Sequence, residues 1–284
     1  MTYSDSIKIG FIQTIVEGAV AWGSKEKGFK KQMFAFCEEK AWYEIKKGFI
    51  DLMGGYGKPN IIIIPELSVP LGYEHQLRKL AASSGAVVIA GLDFVWDGNN
   101  LSNRAVVIVP KNWPEDKKSY STSFFYFGKT FYSGIEETMF PEANLISQSE
   151  IFILDAAEYG KIGIAICSDF FDIERFVVYK GRIHHLIIIS HNQDTDSYYF
   201  LAEAISRLVY CNVAICNTGE HGDSIGFCPY KDHYNRIVYR HKGKGLFSTQ
   251  VVALPVKDLD HEQKTNVKNA KFKSRPPGYE KIEW

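Results

Sequence analysis

The chain has 284 residues, of which 45% are hydrophobic and 23% are charged, as in globular proteins that bury a large core. It contains 33 basic and 33 acidic residues, so no net field favours nucleic acid or an anionic membrane as a partner. No run of about 18 apolar residues could cross a bilayer, and no charged-then-apolar leader is recognisable, so we expect a soluble protein.

The cysteines are odd in number and lack the CxxC spacing of zinc sites. Both features favour reduced thiols in the cytoplasm over a disulfide framework. The five cysteines are Cys37, Cys167, Cys211, Cys216 and Cys228.

Short β-branched runs recur along the chain and predict strands. Several are apolar on both faces, which is typical of strands that are covered on each side. In chain order the runs lie at 7–15, 60–66, 86–93, 103–110, 150–155, 161–167, 184–190, 212–217 and 249–256.

Helical periodicity lies between the strands. A long apolar face runs from Phe34 to Leu52 and stops at Gly54, and a second one runs through "SYYFLAEAISRLVYCN". Alternating strands and helices predict an α/β domain. No internal repeat and no flexible linker divides the chain, so we expect one domain over residues 1–260. Residues 261–284 have little apolar periodicity and form a tail, either a docking arm or a flexible segment.

Three predicted strand ends hold a polar residue that the preceding apolar run does not need. They are Glu66, Lys129 and Cys167. Ligands and catalytic groups collect at the carboxyl ends of strands in α/β sheets. Singly, each has an ordinary explanation as a turn cap, a solvent-seeking lysine or a core thiol. Together they provide a nucleophile, a base and a cation that could hold an oxyanion.

The order and context of these segments resemble the nitrilase superfamily of carbon–nitrogen hydrolases, from about Lys8 to Asp258. "IIIIPELSVP" is similar to the family's general-base segment, "FGKTFYSGIEE" to its lysine segment and "GKIGIAICSDFFDIE" to its nucleophile elbow. "AISRLVYCNVAICNTG" resembles the helix and strand that follow, with Arg207 and Asn217. The resemblance implies an α/β fold of the nitrilase kind, a four-layer α-β-β-α sandwich.

The resemblance also assigns roles. Cys167 is the nucleophile, Glu66 is the general base and Lys129 is the catalytic cation. A second glutamate follows the lysine, and spacing leaves both Glu136 and Glu137 open for it. We favour Glu137, because it leaves a full loop after Lys129.

The chemistry can be stated from the side chains. A free thiol has a pKa of about 8.5 and attacks as the thiolate, so a base must remove its proton. Glu66 could do so from a dry pocket that raises its own pKa. Lys129, held by Glu137, and the N–H of Ser168 could stabilise the oxyanion, and losing such a donor typically costs roughly 3 to 4 kcal/mol. A thioester acyl-enzyme and its hydrolysis complete a cycle that needs no metal or cofactor.

The expected substrate is a small amide, carbamoyl compound or nitrile, with an amide favoured because most branches of the family use amides. Ser168, Phe171, Asn192 and Tyr132 lie near the catalytic segments in sequence and are the predicted substrate-binding residues. Histidines 184, 185 and 191 flank one strand, but no second cluster has ligand spacing, so no metal site is predicted.

The resemblance implies a homodimer or a larger homo-oligomer, with no nucleic acid or membrane partner. Two other functions stay open. The chain departs from the family pattern at 172–174 and after Asn217, which would suit a catalytically inactive binding or sensor module. Acyl transfer to an amine is the third possibility, and the absence of a spanning segment counts against its membrane-bound branch.

Overall fold

The protein is described by a computed structural model over residues 2–55, 57–115, 119–265 and 271–282. The strands are β1 (Ser6–Gln13), β2 (Gly23–Ser24), β3 (Gly28–Phe29), β4 (Ile61–Val69), β5 (Val87–Leu92), β6 (Val95–Asp97), β7 (Asn100–Ser102), β8 (Arg104–Pro110), β9 (Thr122–Gly128), β10 (Asn144–Leu145), β11 (Ile153–Asp155), β12 (Lys161–Ile166), β13 (His185–Ser190), β14 (Asn212–Asn217), β15 (Ser224–Phe227), β16 (Ile237–His241) and β17 (Ser248–Pro255). The helices are α1 (Gly18–Ala21), α2 (Ala35–Gly54), α3 (Glu74–Ser84), α4 (Gly134–Met139), α5 (Ile173–Tyr179), α6 (Thr195–Ile205), α7 (His233–Arg236) and α8 (Lys257–Lys264).

Two six-stranded sheets form the centre of the molecule. Their strand orders are β17-β1-β4-β5-β8-β9 and β11-β12-β13-β14-β15-β16. The middle strands β1, β4 and β5 are parallel in the first sheet, as are β12, β13 and β14 in the second. The outer pairs are antiparallel. The parallel strands are buried on both faces, which explains their continuous apolar runs.

The two sheets pack face to face, and helices cover their outer faces. One apolar cluster joins the inner faces and contains Ile63 and Ile89 from the first sheet and Ile164 and Ile187 from the second. A second cluster joins α2 and α3 to the outer face of the first sheet, and a third joins α5 and α6 to the second. The predicted four-layer α-β-β-α sandwich is confirmed. Among the described residues, no helix is long and apolar enough to span a membrane.

The described part of the tail packs against the sandwich. Phe272 and Tyr279 are buried in a small cluster with Tyr210 and Leu259. The N–H of Ile282 donates to the carbonyl of Gly181 at 2.9 Å. Residue 260, where the predicted domain ends, lies inside α8. The boundary between domain and tail stays a prediction. Residues 266–270 and 283–284 of the predicted tail lie outside the described residues.

Candidate active site

Glu66 is placed by a bulge in β4. In the parallel pairing of β4 with β5, Ile64 lies opposite Ala90 and Val69 lies opposite Leu92, so residues 65–68 lie opposite Gly91 alone. A bulge of this kind turns a side chain out of the regular alternation of a strand. The backbones approach so closely that a Cβ on Gly91 would lie 2.3 Å from the Cα of Glu66.

Lys129 lies between two buried carboxylates. Its Nζ is 2.8 Å from Oε1 of Glu66 and 2.6 Å from Oε2 of Glu136. All three side chains are at least nine-tenths buried. An ammonium between two carboxylates has its charge compensated and its direction fixed, because charge-assisted hydrogen bonds are short and strong.

The second glutamate is Glu136, and the prediction of Glu137 is wrong. Glu136 occupies the third position of α4 and forms a capping box with Ser133, whose N–H donates to Oε2 of Glu136 at 2.8 Å. The capping box turns Glu136 back toward the start of the helix and toward Lys129. Glu137 is exposed to solvent on the same helix.

Asn103 completes this network and was not predicted. Its Nδ2 donates to Oε1 of Glu66 at 2.8 Å and to Oε1 of Glu136 at 2.7 Å. Asn103 precedes β8 and Lys129 follows β9, and the antiparallel register of Arg104 opposite Gly128 puts both at one end of this strand pair. A polar residue directly before a buried strand was the available signal in the sequence.

Cys167 begins a 3₁₀ turn, Cys167–Phe171, directly after β12. Its φ is +46°, in the left-handed region that residues other than glycine rarely occupy. Such strain is kept where the surrounding structure holds it, often at functional sites. The turn places the sulfur close enough to the carboxylate of Glu66 for each group to affect the pKa of the other. The structure thus brings Glu66, Lys129 and Cys167 together.

The elbow is fixed by a buried ion pair. Asp169 accepts hydrogen bonds from the N–H groups of Thr130 at 3.0 Å and Phe131 at 2.9 Å, which follow the lysine. Arg175 on α5 lies 3.6 Å from Asp169 and donates to Oγ1 of Thr130 at 2.9 Å. These contacts tie the cysteine turn to the lysine loop. Arg207, by contrast, is exposed.

The charges of the site oppose the effects of burial. Burial by itself raises the pKa of Glu66, but the Lys129 ammonium beside it outweighs burial and holds the pKa below its ordinary value. Our expectation that a dry pocket would raise this pKa is therefore wrong. Burial lowers the pKa of Lys129, but the charges of Glu66, Cys167 and Glu136 raise it well above its ordinary value. Glu66 rests as a carboxylate and Lys129 as an ammonium.

The thiol of Cys167 behaves differently. Burial and the negative charge of Glu66 raise its pKa to about 12, although Lys129 acts in the opposite direction. The hydroxyl of Tyr198 on α6 also faces this sulfur and lowers the pKa slightly. The resting thiol is therefore protonated at neutral pH.

A cavity of about 520 Å³ opens over these residues. Glu66, Lys129, Glu136 and Cys167 line one part of it. Its other lining includes aromatic rings and polar side chains: Trp22, Phe29, Phe94, His191, Gln193, Glu220 and His221. A cavity of this size suits a small organic molecule.

The residues predicted to bind substrate lie around the cavity but not on its wall. The Phe171 ring packs against Tyr198 and is half exposed. The hydroxyl of Tyr132 accepts from the Asn103 N–H at 3.1 Å, and the Asn192 N–H donates to Asn217 at 2.9 Å. These side chains support loops, and their role as substrate contacts stays a prediction. The Ser168 hydroxyl donates to the carbonyl of Phe131, and the oxyanion role of its N–H stays a prediction.

Comparisons with known proteins give a fold and no sequence relative. No protein-family model and no curated protein sequence matches this chain. A carbon–nitrogen hydrolase from Helicobacter pylori is 13% identical, with a TM-score of 0.68 over 90% of this chain and 92% of that chain.

Two further structures have the same fold. A variant of the amidase from Nesterenkonia sp. is 11% identical, with a TM-score of 0.66 over 92% of this chain and 95% of that chain, and it holds an acetamide group on its active-site cysteine. A CN-hydrolase superfamily protein from Xanthomonas campestris is 12% identical, with a TM-score of 0.63 over 92% of this chain and 94% of that chain. The chain therefore has the fold of the carbon–nitrogen hydrolase, or nitrilase, superfamily.

Proposed function

We propose that this protein is a cysteine-dependent hydrolase that cleaves the carbon–nitrogen bond of a small amide through a thioester intermediate. One observation supports it above the others: a buried thiol, carboxylate and ammonium line the same wall of a small cavity, with the carboxylate and the ammonium 2.8 Å apart. The structural neighbour from Nesterenkonia sp. is an amidase, which supports an amide over a nitrile.

In the first step, the sulfur of Cys167 bonds to the amide carbon while its proton passes to Glu66. The thiol pKa of about 12 makes a free thiolate rare at neutral pH, so proton removal accompanies attack. The carbonyl oxygen gains the negative charge. Two N–H bonds of Lys129 are used by Glu66 and Glu136, and the third is available to that oxygen, together with the N–H of Ser168.

In the second step, the tetrahedral intermediate collapses. Protonated Glu66 gives its proton to the leaving nitrogen, the carbon–nitrogen bond breaks, and ammonia or an amine departs. Cys167 now holds the acyl group as a thioester. Glu66 then takes a proton from water as the water attacks the thioester, and returns that proton to the sulfur as the acid is released. Carbamoyl compounds and nitriles could be bound by the same groups and belong in the substrate screen.

The experiment is a measurement of ammonia release from a panel of small amides, carbamoyl amines and nitriles. The unaltered protein is expected to hydrolyse at least one amide, and Cys167→Ala is expected to abolish turnover. Cys37→Ala, which removes a half-buried thiol outside the site, is the matched control and should keep it. An inactive binding or sensor module would instead bind amides without releasing ammonia.

We also propose that the protein self-associates through the outer layer formed by α5, α6, the turn before α5 and the turn after α6. Large apolar side chains are exposed there and not covered by other described residues: Phe171, Ile173, Val177, Phe200 and Leu208. Concentrated apolar exposure of this kind is typical of interaction surfaces.

A further inference from the structure

The cavity wall beside Glu66 holds a cluster of side chains suited to binding a metal, which the proposed hydrolysis does not use. One ring nitrogen each from His191 and His221 and one carboxylate oxygen of Glu220 all lie within 4.8 Å of one another. Nε2 of His191 is 3.0 Å from Oε2 of Glu220, and Nε2 of His221 is 3.8 Å from the same oxygen. Among the described residues, no other group of three histidine, cysteine or acidic side chains is so arranged.

We propose that His191, Glu220 and His221 form a binding site for a zinc-type divalent transition-metal ion at the cavity wall. Two imidazoles and one carboxylate are a ligand set that zinc uses in proteins, with bonds of about 2.0 to 2.2 Å. Ligand atoms around a tetrahedral ion with such bonds are separated by about 3 to 3.5 Å. The distances from Glu220 to the two histidines are close to that range without any movement of the backbone.

The topology explains why these residues meet. β13 and β14 are neighbouring parallel strands, with Ser190 opposite Asn217. His191 follows the end of β13, and Glu220 and His221 lie in the turn after β14. Carboxyl ends of adjacent parallel strands place their following loops side by side.

The loops are fixed before any ion arrives. The side chain of Asn217 accepts from the N–H of Asn192 at 2.9 Å, and donates to the carbonyls of Asn192 at 2.8 Å and Gly222 at 2.7 Å. It therefore clamps the loop that holds His191 to the turn that holds Glu220. Glu220 is held in addition by the N–H of Gly18 at 2.9 Å. A site whose ligands are held in place needs little ordering on binding.

The ligands remain accessible from the cavity. The three side chains are 13–25% exposed, and all of them line the cavity. An ion held by three protein ligands keeps a position open toward the cavity.

The site is tested by zinc binding to the full-length protein in a Cys167→Ala background, which removes the thiol as a competing ligand. After treatment with a chelator and dialysis, zinc is titrated in competition with a chromophoric chelator. One ion per chain is expected. Glu220→Gln keeps the size of the side chain but is a poor ligand, and it should weaken binding by more than about 10-fold; His221→Ala should do the same. His75→Ala, an exposed histidine on α3, is the control and should not change binding.

Cobalt provides a second measurement in the protein that retains Cys167. Binding by imidazole and carboxylate gives visible d–d bands without a thiolate-to-cobalt charge-transfer band. The proposal is overturned if the Cys167→Ala background binds no zinc saturably, if Glu220→Gln and His221→Ala bind as tightly as their background, or if cobalt shows the thiolate band and loses it with Cys167.

A consequence for turnover rests on the proposed function. The N–H of His191 donates to Oε2 of Glu66 at 2.8 Å, so an ion on the His191 ring would add positive charge near the base and occupy part of the cavity. Zinc should then inhibit amide hydrolysis, and Glu220→Gln should need a higher zinc concentration for the same fractional inhibition. If no amide is hydrolysed, the proposed function fails while the zinc titration still decides the metal site.

Discussion

At the scale of single residues, the site is a network in which each charged group holds the next. Glu136 holds Lys129, Lys129 contacts Glu66, and the charge of Glu66 acts on the thiol of Cys167. Asn103 bridges the two glutamates. Removing one member leaves a buried charge without its partner, which costs several kcal/mol in a protein interior.

The two adjacent glutamates of α4 give a sharp test. Glu136→Gln removes the charge that orients Lys129, so we expect kcat/KM for the amide to fall by about 100-fold or more, corresponding to roughly 3 kcal/mol of lost transition-state stabilisation. Glu137→Gln changes an exposed neighbour on the same helix and should change kcat/KM by less than about 2-fold. Steady-state kinetics of both variants shows which glutamate orients Lys129. Equal losses of kcat/KM in the two variants would contradict the assignment to Glu136.

The residues of the site were predictable to different degrees. Glu66, Lys129 and Cys167 each follow an apolar run, and the sheet edge then brings them together, so local pattern was sufficient. The choice between Glu136 and Glu137 needed the Ser133-x-x-Glu136 capping signature, which loop length alone did not reveal. The lowered pKa of Glu66 depends on its distance to Lys129, a long-range contact that no local pattern contains.

At the scale of elements, the bulge in β4 is what turns Glu66 toward the thiol. Gly91 permits it, because only a residue without a Cβ lets β5 pass so close to the bulged backbone.

Gly91→Ala should therefore displace Glu66. We expect a fall in activity of about 100-fold, because a shift of about 1 Å in a reacting group has that effect. Gly54→Ala at the end of α2 is the matched control, since a Cβ there meets no atom within 4 Å. Steady-state kinetics measures the activity of both variants, and circular dichroism shows whether both are folded. Full activity of folded Gly91→Ala would show that the bulge does not position the base.

The tail is held by a second charged cluster, which is separate from the cavity. Asp260 on α8 lies 3.1 Å from His184, 3.1 Å from Lys264 and 3.6 Å from Lys281. Burial would raise the pKa of Asp260, but the hydrogen bonds from His184 and Lys264 and the charge of Lys281 lower it from 3.8 to about 2.

Because folding lowers this pKa, the carboxylate stabilises the protein above about pH 4, and the effect is lost as pH falls through about 2. Asp260→Asn should lower the free energy of unfolding by roughly 1 kcal/mol at pH 7, after allowance for solvent screening. The difference should be about half as large at pH 3. Urea unfolding of both proteins at the two pH values measures it. A difference that grows toward acid pH would contradict the role of this cluster.

Strand prediction from the sequence succeeded where both faces of a strand are buried. The central parallel strands are continuous apolar runs in the sequence and were predicted. The antiparallel strands β15 and β16 were not, because they have only 4 and 5 residues. The packing of the tail depends on contacts with distant residues such as Gly181, which composition does not indicate.

At the scale of the whole molecule, both outer layers expose large apolar side chains. Val177 on α5 is 67% exposed, and Ile50 on α2, in the opposite outer layer, is 72% exposed. If α5 lies at the interface between copies, Val177→Lys should shift the protein to a smaller species, because burying an unpaired charge at an apolar interface is costly.

Ile50→Lys is the control and should leave the mass in solution unchanged. Light scattering after size-exclusion chromatography, at several protein concentrations, measures the mass in solution of both variants. If the unaltered protein is a monomer at every concentration, self-association is refuted. A shift with Ile50→Lys alone would place the interface on the α2 face.

The central claim concerns one covalent bond, and intact-protein mass spectrometry during turnover of an amide tests it most directly. We predict that the chain gains the mass of the acyl group without the departed amine, that the gain maps to the peptide containing Cys167, and that Cys167→Ala shows none. Turnover without any acyl mass on residue 167, or with undiminished turnover in Cys167→Ala, would contradict the account.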